Sequence, residues 1–402
     1  MITLYKKAYE KRISKLGLQE TTSVSLSDIP KLKITNSTEI PAFTEKTELD
    51  VSIKMSDNSA LNSYNVYINN VPLYGKRGKD LKAVKSSSLT ETLSLVHGIN
   101  KIQVSCRSNT GYESLMQTFY VEKTGETPQR DLYLITIGTS DYKDDQYNLT
   151  YAVKDGQDLA KLMNENTKDI YANIYSKSLY NEEVTSSNVI AAGDFLAQSK
   201  PDDIVMVFVA GHGVLDKDFD YYFGTYDMDF QNPAEKGLAY EKLEGILDGI
   251  KANKKILIMD TCHSGEVDKD DVFVVDDAQE DQEDEDLMFR HVGPVIDENS
   301  SATPSKVSSV LFNDLRRGTG STVISSAGGT EFAMESDKWK NGLFTYCMLM
   351  GLRDGNADID KNGEIMLLEL QEYVVDLVSE LSKGKQVPNT RIQNMELDFR
   401  VW

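Results

Sequence analysis

The stretch KKILIMDTCHSGE, residues 254–266, decides the fold of the second half of the chain. Its apolar run is continuous, without period-two alternation, which is typical of a strand buried on both faces of a parallel sheet. The run ends abruptly in an acid, a cysteine, a histidine and a glycine. Cys262 is one of only three cysteines, so it is either a small buried residue at a strand end or a nucleophile.

The segments around this strand alternate between apolar strands and amphipathic helices. Further strands are predicted at 131–138, 170–180, 202–213 and 321–329. Helices are predicted at 148–166, 185–199, 239–251, 341–355 and 367–384. This alternation predicts an α/β domain over residues 129–402, with a mainly parallel sheet flanked by helices on both faces.

The preceding region has a different pattern. Residues 41–125 contain short runs of alternating apolar and polar residues, such as SYNVYINNVPLYG, separated by turn residues. This pattern predicts a small all-β, immunoglobulin-like sandwich with Cys106 in its core. Residues 1–40 are predicted to form a helical lead-in and a polar connector. Because the predicted sandwich holds no reactive constellation, we expect it to be a spacer or docking module.

The composition narrows the class of function. A formal net charge of −21 argues against nucleic-acid binding, which needs clustered basic residues. No apolar run is long enough to cross a membrane, and the first residues lack the apolar core of a signal peptide. Three widely spaced cysteines fit a reducing compartment. We therefore expect a cytoplasmic protein that binds neither nucleic acid nor membrane.

An acidic segment follows the strand that ends at Cys262. Between Glu266 and Glu298 the chain has fourteen acidic residues against two basic ones. Such a composition cannot bury enough apolar surface to order itself. Residues 266–308 are therefore predicted to be a flexible, solvated insertion in the α/β domain.

A second predicted strand also ends in reactive residues, because residues 202–213 finish in Gly-His-Gly. The carboxyl ends of neighbouring parallel strands meet at one edge of a sheet, so we expect His212 to lie near Cys262. An imidazole can take the proton of a thiol or stabilise its thiolate. Backbone N–H groups of Gly213 and Cys262 could hold an oxyanion. His263 is the weaker candidate base, because adjacent side chains diverge.

The alternative is that both residues are ordinary, with Cys262 in the core and His212 in a solvated turn. Two such strand ends in one sheet favour a nucleophile and its base. Cys347, within a predicted helix, is expected in the core.

These residues carry a family resemblance. VFVAGHG together with KILIMDTCHSG resembles the paired histidine and cysteine motifs of caspase-like peptidases. The match is closer to the metacaspase and bacterial caspase-like branch than to animal caspases, whose cysteine motif is Gln-Ala-Cys-Arg-Gly. It covers most of residues 131–402 and includes LTYAVKDGQDLAKLM, STVISSAGGTEFAME and NGLFTYCMLMGL.

The preceding β-rich region resembles the module that joins WD-repeat sensors to such peptidases in bacteria. This implies an upstream sensor domain or partner protein. The chain begins directly in a segment like a post-sensor connector, which fits a piece of a longer protein.

The resemblance implies a caspase-like fold and a cysteine endopeptidase acting on proteins or peptides, with Cys262 as nucleophile and His212 as base. It implies that Asp155 and Asp260 line the pocket for the first substrate residue. Two carboxylates there would favour Arg or Lys and repel Asp. The alternatives are a helix-surface acid for Asp155 and a strand-end capping residue for Asp260.

Two further points come from the resemblance. Ser325 and Ser326 match another wall of the same pocket. Some metacaspases have a serine immediately before Gly-His-Gly, where this chain has Ala210, so the choice between Arg and Lys stays open.

The acidic insertion occupies the place where members of this family are often cut into a larger and a smaller subunit. Arg290 and Lys306 are basic residues within it that an Arg/Lys-specific enzyme could cut. A merely solvated loop is an equally good interpretation.

Residues 358–369, DIDKNGEIMLLE, fit the twelve-residue calcium-loop pattern. A central glycine gives the sharp turn. The predicted ligands are Asp358, Asp360, Asn362, Glu364 through its carbonyl, and Glu369. Acid-rich turns between helices are also common without metal. Cysteine chemistry requires no cofactor, so calcium would be structural or regulatory.

Two rivals to the peptidase remain, a non-catalytic caspase-like interaction module and a calcium-regulated variant. Degenerate family members usually lose the histidine or the cysteine, and this chain keeps both.

Overall fold

In the computed structural model the described residues are 26–166, 170–216, 220–261, 287–289, 318–327, 333–391 and 398–402. They form an N-terminal β-sheet and a larger α/β unit. No helix among them is long and apolar enough to cross a bilayer.

The N-terminal part is built from strands. They are β1 (Lys31–Ile34), β2 (Phe43–Thr44), β3 (Glu48–Ile68), β4 (Val71–Pro72), β5 (Lys79–Ser94), β6 (Gly98–Ser108) and β7 (Gln117–Lys123). All seven belong to one sheet. The 21-residue β3 pairs with β1, β4, β5 and β6, while β7 pairs with β6 and β2 pairs with β7. The register of β3 against β5 shifts between Ser56 and Ser63, as at a β-bulge that bends a strand.

This sheet has its own apolar core. Val51, Val66 and Val104 are fully buried in it, and Cys106 lies there at 1% exposure, as predicted. An immunoglobulin-like sandwich stays a prediction, as do the domain boundaries.

The α/β unit contains the remaining strands, which the structure bounds as follows: β8 (Leu132–Gly138), β9 (Ile174–Tyr180), β10 (Ile204–Gly211), β11 (Gly213–Leu215), β12 (Tyr221–Phe223), β13 (Leu238–Ala239), β14 (Lys254–Thr261), β15 (Leu287–Phe289), β16 (Thr322–Ser325), β17 (Met334–Ser336), β18 (Asn341–Gly342) and β19 (Asn389–Arg391). Its helices are α1 (Ala152–Asn166), α2 (Ser186–Leu196), α3 (Pro233–Lys236), α4 (Tyr240–Gly245), α5 (Leu343–Arg353) and α6 (Leu367–Leu381).

The central sheet has the strand order β19-β16-β14-β10-β8-β9. Its strands are parallel except for β19, which pairs antiparallel at the edge. Alternate side chains of β10 enter two cores. Met206 packs in the cluster that includes α1, α5 and α6, and Val207 packs in the cluster that includes α2 and α4. The predicted parallel sheet covered by helices on both faces is confirmed.

Some short elements depart from the prediction. Two small sheets, β11-β12-β13 and β15-β17-β18, accompany the central one. Strand β15 lies inside residues 266–308, where an insertion without regular structure was expected. The helix predicted at 239–251 ends at Gly245, and residues 246–249 form turns.

Candidate active site

The register of the central sheet brings the two reactive strand ends together. Strands β10 and β14 are adjacent and parallel, with Gly211 opposite Thr261 and Ala210 opposite Asp260. His212 follows Gly211, and Gly213 begins β11. Cys262 and His263 lie outside the described residues, so the predicted pair of His212 and Cys262 stays a prediction.

The imidazole of His212 is buried and has one defined tautomer. The side chain is 3% exposed, and its Nε2 atom lies 2.8 Å from the carbonyl oxygen of Tyr147. A carbonyl oxygen only accepts hydrogen bonds, so Nε2 carries the hydrogen. In the neutral ring Nδ1 is then the basic nitrogen. Nδ1 is therefore the atom able to take a proton from a thiol.

The backbone of His212 is fixed as well. Its N–H donates to the Tyr142 hydroxyl at 3.0 Å, and its carbonyl accepts the N–H of Gly224 at 2.8 Å. Gly211 has φ +151°, and a Cβ there would lie 2.9 Å from the same hydroxyl. Glycine at position 211 therefore lets Tyr142 approach the turn that carries His212.

Aromatic rings surround the imidazole. The ring centroids of Tyr142 and Phe230 lie 5.2 and 5.6 Å from that of His212, and Tyr147 stacks on Phe230 at 3.8 Å. Sequence reasoning missed these residues. Tyr142 and Tyr147 lie in the loop that follows β8, so the strand-end rule that selected His212 could also have pointed to them.

Asp155 and Asp260 are both fully buried, and each accepts a backbone N–H group at the N-terminus of α5. Asp155 accepts the N–H of Gly342 at 3.0 Å and the side-chain amide of Asn341 at 2.9 Å. Asp260 accepts the N–H and the hydroxyl of Thr345 at 3.3 and 2.5 Å. The first N–H groups of a helix lack intrahelical partners and favour negative charge.

These contacts give both acids a structural role as helix caps. They also bring the two predicted specificity residues to one end of one helix. Their role in substrate selection stays a prediction.

The predicted pocket serines lie beside the end of β14. The Ser326 hydroxyl donates to the Thr261 carbonyl at 3.1 Å, and the Ser325 hydroxyl donates to the Ala327 carbonyl at 3.1 Å. Both serines are buried. The buried side chain of Gln386, which sequence reasoning missed, donates to the Ser326 carbonyl at 2.8 Å and accepts the N–H of Met334 at 3.0 Å. Ser326 thus links β14 to β17.

A buried glutamate fixes the loop that holds His212. Glu335, in the middle of β17, accepts the N–H groups of Thr150 and Tyr151 at 2.7 and 3.3 Å, just before α1 begins. Strand β17 therefore anchors the loop that supplies Tyr142 and Tyr147.

The other cysteines are poor nucleophiles. Burial raises the pKa of Cys106 to about 11 and that of Cys347 to about 12. Since the thiolate is the reactive form, both thiols are inert near neutral pH.

The predicted calcium loop lies between α5 and α6. Carboxylate oxygens of Asp358, Asp360 and Glu369 lie within 4.8 Å of one another. Gly363 has φ +86°, the turn that the pattern requires. The oxygen-rich set suits calcium. The Glu364 side chain pairs with Arg400 at 2.8 Å, so that residue would offer only its carbonyl. Calcium binding stays a prediction.

The candidate cleavage positions Arg290 and Lys306 lie outside the described residues.

The fold is that of an α/β protein with a mainly parallel central sheet and a buried imidazole at the carboxyl edge of that sheet. The sequence profile of the Caspase domain matches residues 133–400, well over half of the chain. The chain therefore belongs to the caspase-domain family of peptidases. Membership indicates a cysteine peptidase, with proteins or peptides as substrates.

Solved structures with similarity include a protein from Geobacter sulfurreducens, at 18% identity and a TM-score of 0.44, over 66% of this chain and 93% of that one. Caspase-1 from Spodoptera frugiperda is similar at 14% identity and a TM-score of 0.39, over 66% of this chain and 89% of that one. The comparison with curated proteins gave no match.

Proposed function

We propose that the chain is a cysteine endopeptidase that cuts after Arg or Lys with Cys262 and His212. The observation that carries this proposal is the pairing of Gly211 with Thr261 in adjacent parallel strands. Cys262 follows Thr261 in the chain, and consecutive Cα atoms are about 3.8 Å apart. This adjacency in the chain supports the proposed pairing of Cys262 with His212.

The reaction proceeds by acyl transfer. Nδ1 of His212 takes the thiol proton, and the Cys262 thiolate attacks the scissile carbonyl carbon. The N–H groups of Gly213 and Cys262 stabilise the oxyanion. The amine leaves with the proton from Nδ1, and a thioester remains. Water then attacks the thioester, loses its proton to Nδ1, and releases the carboxylic acid while the thiol is restored.

Preference for a basic residue is supported by Asp155 and Asp260. Two carboxylates without exposure to solvent attract a cation strongly, because the local dielectric is low. Strand β14 carries Asp260 two residues before Cys262, and this short separation in the chain supports a role for its carboxylate in binding a residue beside the scissile bond.

Self-cleavage in the acidic insertion is supported by β15. This strand pairs antiparallel with β17, Leu287 opposite Ser336 and Phe289 opposite Met334. Addition of an extended strand to a sheet edge is a common mode of peptide binding. Arg290 is the next residue after β15, so this pairing favours Arg290 over Lys306 as the position of cleavage.

The test is hydrolysis of peptides with Arg, Lys or Asp before the scissile bond, with and without calcium. Wild type and Cys347→Ala should cut the Arg or Lys peptides, and Cys262→Ala should cut none. The buried Cys347 is the matched control for loss of a thiol. Absence of Cys262-dependent cleavage in every condition would favour a non-catalytic scaffold. A cytoplasmic location and an upstream sensor stay predictions.

A further inference from the structure

A turn of the N-terminal sheet docks on the α/β unit. The Asp248 carboxylate accepts the backbone N–H of Lys76 at 3.0 and 3.2 Å. Gly75 has φ +67°, and a Cβ there would lie 2.8 Å from an Asp248 oxygen. The close approach therefore requires glycine at position 75.

Glu244, in α4, is the centre of this contact. It is fully buried and accepts Lys76 Nζ at 3.0 Å, Arg391 Nη2 at 2.7 Å and the Thr319 hydroxyl at 3.3 Å. Burial alone would raise the pKa of Glu244, but Arg391 and Lys76 lower it below its usual value. A buried carboxylate is tolerated only when it is paired. Lys76 and Arg391 therefore each help to hold Glu244 in the position where it binds the other cation.

The other partners of Glu244 belong to the edge of the central sheet that leads to the predicted pocket. Arg391 lies in β19 opposite Val323 of β16, and Asn389 lies opposite Ser325. Thr319 comes just before β16. The N-terminal sheet thus reaches β16 through one shared carboxylate.

A second contact joins the same two parts. A Cβ on Gly320 would lie 2.8 Å from the Cα of Val71 in β4, so the two backbones touch directly before β16 begins. At a third position, Asp202 accepts the N–H of His97 at 3.0 Å and lies 3.8 Å from Lys123 Nζ. Three separate contacts hold the N-terminal sheet in one orientation, which keeps Lys76 against Glu244.

We infer that the N-terminal sheet positions the Ser325–Ser326 end of β16 through the network of Lys76, Glu244 and Arg391. Lys76 and Glu244 are then positioning residues for substrate binding, which gives the N-terminal sheet a role beyond the spacer or docking module expected from sequence. This inference rests on the proposed peptidase function for its kinetic consequence, and on geometry alone for its structural one.

The test compares Lys76→Met with Lys79→Met. Lys79 is the matched control, because its ion pair with Glu91 at 3.0 Å lies within the N-terminal sheet. In the Cys262→Ala background, Lys76→Met should speed amide exchange about tenfold in residues 319–325 and 389–391, with β8 and β10 unchanged. Lys76→Arg, which keeps the cation, should restore protection. Lys79→Met should leave amide exchange unchanged in residues 319–325 and 389–391.

The kinetic arm uses the enzyme with Cys262. Lys76→Met should raise KM for a peptide about fivefold and leave kcat within about twofold. Exchange that is unchanged, or faster throughout the sheet, would overturn the inference. If wild type lacks Cys262-dependent activity, the peptidase proposal fails while the exchange arm still decides this one. Changed exchange with unaltered KM in an active enzyme would overturn the link to substrate binding.

Discussion

The Nε2 atom of His212 lies 2.8 Å from the carbonyl oxygen of Tyr147. A backbone atom therefore sets the tautomer of the candidate base, and a neighbouring tyrosine hydroxyl holds the backbone of the same histidine. The two tyrosines of this loop thus act on His212 through different atoms, Tyr142 through its hydroxyl and Tyr147 through its backbone carbonyl.

Tyr142→Phe should lower kcat about tenfold, because it removes the acceptor of the His212 N–H while keeping the ring. Tyr147→Phe should change kcat little, since Tyr147 acts through its carbonyl. KM should be nearly unchanged in both. Steady-state kinetics of the two variants measures this difference. Equal effects of the two substitutions on kcat would contradict the role assigned to the Tyr142 hydroxyl.

Asp155→Asn and Asp260→Asn should separate selectivity from helix capping. If the two carboxylates bind the basic side chain of the substrate, each variant should raise KM for Arg and Lys peptides about a hundredfold, because the buried substrate cation loses a partner of opposite charge. Loss of the charge at the N-terminus of α5 should also cost about 1 kcal/mol of unfolding free energy.

Asp194→Asn is the control, because Asp194 is an exposed acid of α2, a helix that packs in the other core of the α/β unit. It should not change selectivity. Lower melting temperatures with unchanged preference among Arg, Lys and Asp peptides would assign both acids to capping alone.

Calcium should raise the melting temperature of the Cys262→Ala protein by mass action if the loop at 358–369 binds it. Glu369→Gln should abolish the rise, because the bidentate carboxylate is lost. Glu364→Gln should keep it, since that residue would contribute its carbonyl. Identical melting curves in calcium and in chelator would rule out a stabilising site.

We expect the buried Lys255 to make the free energy of unfolding depend on pH. It is 1% exposed, and Nζ donates to the carbonyls of Leu247 and Thr319 at 3.0 and 3.1 Å. Burial lowers its pKa from 10.5 to about 7. Above pH 7 the unfolded chain therefore binds more protons at this residue than the folded one, and the contribution of Lys255 to stability increases with pH.

The measurement is urea unfolding of Cys262→Ala with and without Lys255→Met between pH 6 and 9. The unfolding free energy of the Cys262→Ala protein minus that of its Lys255→Met variant should increase as pH rises, by at most about 1.4 kcal/mol per pH unit. A constant difference across this range would contradict the shifted pKa.

The larger elements were predictable because buried strands and amphipathic helices leave strong patterns. The runs at 202–213 and 254–266 predicted two neighbouring parallel strands, and the register of Gly211 with Thr261 bears this out. Short strands such as β13 and β18, with two residues each, carry no such pattern, since tertiary contacts alone determine them.

The surroundings of the candidate site were harder to predict. The role of Tyr147 rests on a backbone carbonyl, which every residue has. Glu244 and Lys76 are 168 residues apart, and no local pattern reports a pairing over that distance. Asp155 and Asp260 were identified through the family resemblance, and their contacts with α5 became visible only in three dimensions.

Strands β14 and β16 are hydrogen-bonded neighbours in one sheet, from Ile256 opposite Thr322 to Met259 opposite Ser325. The acidic insertion leaves from the first and returns to the second. A cut within the insertion would therefore divide the chain into two fragments that stay associated through the central sheet. On a sizing column the nicked protein would elute with the intact one, and only a denaturing gel would reveal a heterodimer.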